Sequence, residues 1–169
     1  DLLATTLRQQ TLAASLGGRR VLVVDDNPAN RYVAEAYLQE LGVASVLAES
    51  GAAAVACLER ERFDAVLMDV QMPGMDGYQA THEIRARLGL DVPVIAMTAN
   101  AARGERDRCI EAGMNDLLVK PFTCADVGTM LAAILERGRA ERPPAAAKGT
   151  VDAPLVDAES SRSMLRFFR

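Results

Sequence analysis

Five short, almost continuously apolar runs punctuate the chain: Val21–Val24, Val43–Ala48, Ala65–Met68, Val94–Met97 and Leu117–Val119. Runs of this length without polar alternation read as strands covered on both faces, and such strands belong to parallel sheets. Between them the apolar residues recur at helical spacing. Val33, Tyr37 and Leu41 with Ala34 and Leu38 form the first stripe, Val55 and Leu58 the second, and Tyr78, Thr81, Ile84 and Leu88 the third. Val127, Met130, Leu131, Ile134 and Leu135 line one face of the last helix, and Thr123 with Asp126 predicts a capping box at its start. Gly42 stands where a left-handed residue closes the first helix. Strand–helix alternation of this kind predicts an α/β fold, a doubly wound five-stranded parallel sheet with helices on both faces.

With 169 residues and half of them apolar, the chain can build one sizeable core. The organisation predicted is a core domain over 19–137, preceded over 1–18 by a polar, leucine-spotted stretch that reads as the end of a preceding domain or a linker helix. Residues 138–154 are rich in Arg, Pro and Ala, and Pro143–Pro144 stops any helix, so this stretch reads as a linker. The tail 155–169, with Met164, Leu165, Phe167 and Phe168, is too short for a domain and reads as a docking segment or the start of a further module. A net charge of −4 without a basic run argues against a nucleic-acid surface. Cys57, Cys109 and Cys124 form no CxxC pair, which disfavours a zinc site or a disulfide framework and fits a reducing cytoplasmic setting. No apolar run reaches the roughly 18–20 residues of a membrane span, so no direct membrane contact is expected of this segment, although a longer parent could be membrane-anchored.

The chemistry is suggested by where polar residues interrupt these runs. Asp25 and Asp26 follow the first strand, Asp69 ends the third, Thr98 follows the fourth and Lys120 the fifth. All five therefore sit at carboxyl ends of strands, where open α/β sheets bind ligands, and in a 2-1-3-4-5 order the crevice opens between strands one and three. Three carboxylates crowded there would repel one another by about 4 kcal/mol per pair at ~4 Å. A cation must compensate, and an oxygen-only ligand set with room for water suits Mg²⁺. Asp69, ending a central strand, is the best candidate for a carboxylate nucleophile that forms an aspartyl phosphate. Lys120 can neutralise phosphoryl charge opposite the metal, and Thr98 can hydrogen-bond a phosphoryl oxygen. Any one of these residues alone is more readily a turn, a cap or a solvated side chain.

The segments Val21-Leu-Val-Val-Asp-Asp-Asn27, Met68-Asp-Val-Gln-Met-Pro-Gly-Met-Asp-Gly77, Pro93-Val-Ile-Ala-Met-Thr-Ala-Asn100 and Gly113-Met-Asn-Asp-Leu-Leu-Val-Lys-Pro-Phe122 resemble the receiver domains of response regulators, of CheY-like, flavodoxin-like fold. The wording is most similar to receivers inside hybrid sensor histidine kinases. The resemblance implies Asp69 as phosphoacceptor, with a phosphohistidine on a histidine kinase or a histidine phosphotransfer domain as donor. It implies Asp26, Asp69 and the Gln71 backbone carbonyl as direct Mg²⁺ ligands and Asp25 acting through water. It further implies Thr98 as switch hydroxyl, Lys120 as phosphoryl partner and a cis bond before Pro121. The domain would catalyse its own phosphotransfer and dephosphorylation, in a parent that is itself a histidine kinase.

Two positions depart from that pattern. Leu117 stands where the family usually has an aromatic residue, so the surface formed by the helix over Arg106–Glu111, the fifth strand and the last helix over Val127–Leu135 is expected to respond less to phosphorylation. Thr81-His-Glu-Ile-Arg85 resembles the phosphorylation box of a histidine kinase, but Ala86-Arg-Leu88 follows where that box needs a proline. His82 also falls off the apolar stripe, and a plain surface histidine is the expectation. Competing readings are a stand-alone response regulator, a non-phosphorylated pseudo-receiver and a hydrolase of the haloacid dehalogenase type. The last needs an acid two residues after the nucleophile, where this chain has Gln71.

Overall fold

The computed structural model describes residues 2–141. In chain order the elements are α1 (Leu2–Leu16), β1 (Arg20–Val24), α2 (Pro28–Glu40), β2 (Ala44–Ala48), α3 (Gly51–Arg60), β3 (Ala65–Asp69), α4 (Gly77–His82), β4 (Val94–Thr98), α5 (Arg103–Ala112), β5 (Asp116–Val119) and α6 (Cys124–Glu141). A wider π-type turn, Glu83–Arg87, extends α4. The strands form one parallel sheet in the order β2-β1-β3-β4-β5. Each expected strand is present, and the doubly wound order follows.

Alternation along the strands divides the core in two. Val21, Val23, Leu67, Ile95 and Met97 face α1, α2 and α6, where they meet Leu16, Leu38, Leu41, Val127 and Leu131. Leu22, Val24, Val66, Met68 and Ala96 face α3, α4 and α5 and meet Val55, Leu58, Ala80, Ile84 and Cys109. Every residue of β3 and β4 is buried, as a central strand covered by helices on both sides requires.

Local signals held where they were specific. Asn27 caps α2 by accepting from the Ala29 and Asn30 N–H groups, with Pro28 at the first helical position. Gly42 has φ 76°, the left-handed closure expected after that helix. Thr123 and Asp126 exchange side-chain to backbone hydrogen bonds of 2.9 and 3.1 Å, which is the capping box expected for α6. Val33 differs from its expected place on the core stripe of α2: it is 44% exposed, because Ala34 and Leu38 turn the helix's buried face away from it.

The N-terminal stretch, expected as a linker helix or the end of a preceding domain, is a helix with one packed face. Leu16 is 1% exposed within the core, and Leu12 packs beside it. A Cβ on Gly128 of α6 would stand 2.9 Å from Leu12 Cδ1 and 3.0 Å from Leu41 Cδ2, so the glycine lets α1, α2 and α6 converge. The packed unit therefore reaches ahead of Arg19. At the other end α6 continues to Glu141, past the boundary expected at residue 137. The remainder of the 138–154 stretch and the 155–169 tail lie outside the described residues. No helix among the described residues is long and apolar enough to cross a membrane.

Candidate phosphoacceptor and metal site

Strand register brings the polar strand ends together. Val24 pairs with Met68 and Asp69 with Met97, so Asp25 and Asp69 are level at the top of adjacent strands. Thr98 pairs with Val119, which places Lys120 one step beyond. Carboxylate oxygens of Asp25, Asp26 and Asp69 lie within 4.8 Å of one another, the one such cluster found among the described residues.

Their environments differ. Asp25 is buried at 1% exposure, and its Oδ1 accepts the Asn27 N–H at 2.9 Å and the Asn30 amide at 3.4 Å. Arg31 fixes the same residue from behind, donating to its backbone oxygen at 2.7 Å. Asp26 is exposed, whereas Asp69 is buried. Lys120 Nζ sits 3.3 Å from Asp25 Oδ2 and 3.3 Å from Asp69 Oδ1, bridging the buried pair. The Gln71 N–H donates to Asp69 Oδ1 at 3.4 Å, while its side chain is exposed.

Burial first, and the Asp25 charge second, push the Asp69 carboxyl up to about 6, while Lys120 pulls in the other direction. Three carboxylates face one ammonium in the crevice, so negative charge is left over, which is the condition under which a divalent cation is favoured. The donor set is all oxygen, partly exposed on the Asp26 side, and so fits a hard cation that retains water. Thr98 is buried, and its Oγ accepts the Asn100 N–H at 3.0 Å. The Lys120–Pro121 bond is cis, as expected.

The loop that follows Asp69 is closed by contacts that sequence reading passed over. Gly77 opens α4 directly over Asp69, and a Cβ there would stand 2.4 Å from the Asp69 backbone oxygen and 2.8 Å from Val70 Cα. Asp76 and Gln79 form a capping box that fixes this approach, and the Asp-x-x-Gln spacing could have revealed it. His82 is exposed on α4 and does not join the acidic cluster. Arg85 of the same box instead donates to the backbone oxygens of Gly113, Leu90 and Val92 and to Asn115 Oδ1, at 2.7–3.0 Å. Its guanidinium clamps together the segments that lead into β4 and β5.

Comparison with known proteins gives the family and the fold. The family model described as the response regulator receiver domain matches residues 21–132. The Sensor protein GacS of Pseudomonas syringae pv. syringae is 48% identical over 108 residues, covering 62% of this chain and 12% of that protein. Sensor histidine kinase RcsC of Escherichia coli (strain K12) is 44% identical over 122 residues, covering 72% of this chain and 13% of RcsC. The chain thus spans about an eighth of the length of these relatives. Among solved structures, the receiver domain of a sensor histidine kinase from Pseudomonas aeruginosa PAO1, with a magnesium ion coordinated in its active-site cleft, superposes with a TM-score of 0.66 at 48% identity. That match covers 71% of this chain and 99% of the other. With that family model matching well over half of its length, the chain belongs to the family of response regulator receiver domains.

Proposed function

We propose that this domain accepts a phosphoryl group from a phosphohistidine onto Asp69, in a hybrid sensor histidine kinase that passes it through a histidine phosphotransfer partner. The observation that carries the reading is the buried Asp69 carboxylate set between Lys120 on one side and the Asp25–Asp26 pair on the other. Asp69 Oδ attacks phosphorus, the P–N bond of the donor breaks, and the departing imidazole keeps its electron pair and takes a proton. Bound Mg²⁺ would neutralise charge on the carboxylates and on the phosphoryl oxygens, held directly by Asp26, Asp69 and the Gln71 carbonyl and through water by Asp25. Lys120 offers a compact charge to a phosphoryl oxygen, and the Thr98 hydroxyl a hydrogen bond. Tyr32 and Val33, 71% and 44% exposed on α2, the helix that follows Asp26, offer an apolar patch to the protein that brings the histidine.

The hybrid origin rests on likeness to GacS and RcsC, both named as sensor proteins or kinases. A stand-alone regulator would share this site, whereas a pseudo-receiver would have no use for the full acidic set. Incubation with a small phosphodonor and Mg²⁺ should add one phosphoryl group labile to both acid and base. Full labelling of Asp69→Asn would sink the assignment.

A further inference from the structure

The ring of contacts around Asp69 closes through a pair of residues with no part in the site as described so far. Gly77 presses on the Asp69 backbone, and its neighbour Tyr78 donates its phenol hydrogen to Glu105 Oε2. Glu105 lies in the first turn of α5, where its N–H bonds the Ala102 oxygen at 3.0 Å and so anchors the end of the loop that begins at Thr98. The two strands beneath are already joined, because the Val70 N–H bonds the Met97 oxygen. The acceptor loop and the Thr98 loop are therefore held together at the strand ends and again, farther out, by the Tyr78–Glu105 bond. Between these two ties lies a cavity of about 530 Å³, lined by Gln71, Thr98, Asn100, Tyr78, Glu105 and Arg108.

Glu105 is 6% exposed, an expensive place for a carboxylate unless its oxygens are occupied. The Tyr78 hydroxyl occupies one, and Arg108 stands 3.9 Å from the other while its guanidinium lies 4.7 Å from the centre of the Tyr78 ring. Burial and the bond to Glu105 raise the Tyr78 phenol above its ordinary range, so it stays a donor across the working pH range. The three side chains form a stacked, hydrogen-bonded unit spanning α4 and α5.

We propose that Tyr78 and Glu105 are positioning residues for phosphoryl transfer: their hydrogen bond fixes the Thr98–Ala102 loop against the acceptor loop and so sets where the Thr98 hydroxyl stands relative to Asp69. The inference deepens the reading of Asp69 as phosphoacceptor and rests on it. Neither residue belongs to the site described above; each acts through the loop it helps to hold.

The test uses the full chain with a small phosphodonor and Mg²⁺. Tyr78→Phe keeps the ring against Arg108 and removes only the hydroxyl. Its phosphorylation rate at saturating Mg²⁺ should fall about tenfold, the scale of one buried hydrogen bond to a charged acceptor. Its Mg²⁺ affinity, read by titration without phosphodonor, should stay within about twofold, since no metal-facing group has changed. Glu105→Ala should lose a similar factor, Glu105→Gln less, and Tyr78→Phe combined with Glu105→Ala no more than either alone. Backbone amides over Ala99–Ala102 should exchange faster in Tyr78→Phe. A wild-type rate in Tyr78→Phe, a parallel loss of Mg²⁺ affinity, or additive losses in the double variant would overturn the proposal. Absence of label on wild-type Asp69 would instead overturn the phosphoacceptor reading, so the two failures are distinguishable.

Discussion

A single side chain, Asp69, carries the electrostatic tension of the site. Folding raises its carboxyl from an ordinary 3.8 to about 6, by burial and by Asp25. A carboxyl raised in the folded state favours the fold below its unfolded value, and that contribution is lost as pH climbs through the folded one. The window is therefore about pH 4 to 6. Without Mg²⁺, Asp69→Asn should be more stable than wild type by about 1–3 kcal/mol at pH 8, with little difference at pH 4, measured by denaturant unfolding. Added Mg²⁺ should narrow the gap at pH 8. An equal gain at both pH values would mean that the amide acts through packing. The neighbouring acids divide otherwise: Asp25 is committed to Asn27, Asn30 and Lys120, while Asp26 is exposed. Titration should thus show Asp26→Ala losing more Mg²⁺ affinity than Asp25→Ala, and equal losses would contradict the division.

At the scale of elements, the site depends on how closely α4 is laid over β3. Gly77 permits that approach, and the obstacle to any larger residue is backbone rather than a flexible side chain. Gly77→Ala should cost about 2–4 kcal/mol of stability and perturb Asp69, because the helix start must lift from the acceptor. Calorimetry would check the first effect and phosphoryl uptake the second; a fold unchanged in both would show that the loop yields cheaply. Much of this level was legible beforehand. Short apolar runs marked the strands, and polar residues at the ends of four of the five placed the site, because the carboxyl ends of strands in a parallel sheet share one edge. Partner choice across elements was not legible. Tyr78 reaches a residue 27 positions away, and neither side chain carries a local signal that names the other. Arg85 likewise sits in a stretch whose spelling suggests a phosphorylated histidine, yet its fork is consumed by carbonyls that only tertiary structure brings near.

Across the whole molecule, the sheet separates two packed layers, and α1 belongs to one of them. Its signal in the sequence was faint because only Gln9, Leu12, Ala13 and Leu16 turn inward, while Leu2, Leu3 and Leu7 remain exposed. Leu16→Ala should nonetheless cost about 2–5 kcal/mol, as for any leucine removed from a closed core. Phosphoryl uptake at low temperature should persist, since α1 lies on the layer away from α4 and α5. A loss below about 0.5 kcal/mol would make α1 a passing segment instead. Docked in this way, the 15-residue helix is a pointer about 22 Å long with its pivot in the core. A turn of only about 5° in α6 would sweep the far tip through roughly 2 Å, so an angular change too slight to see beside the sheet arrives at Leu2 as a displacement the size of a side-chain contact.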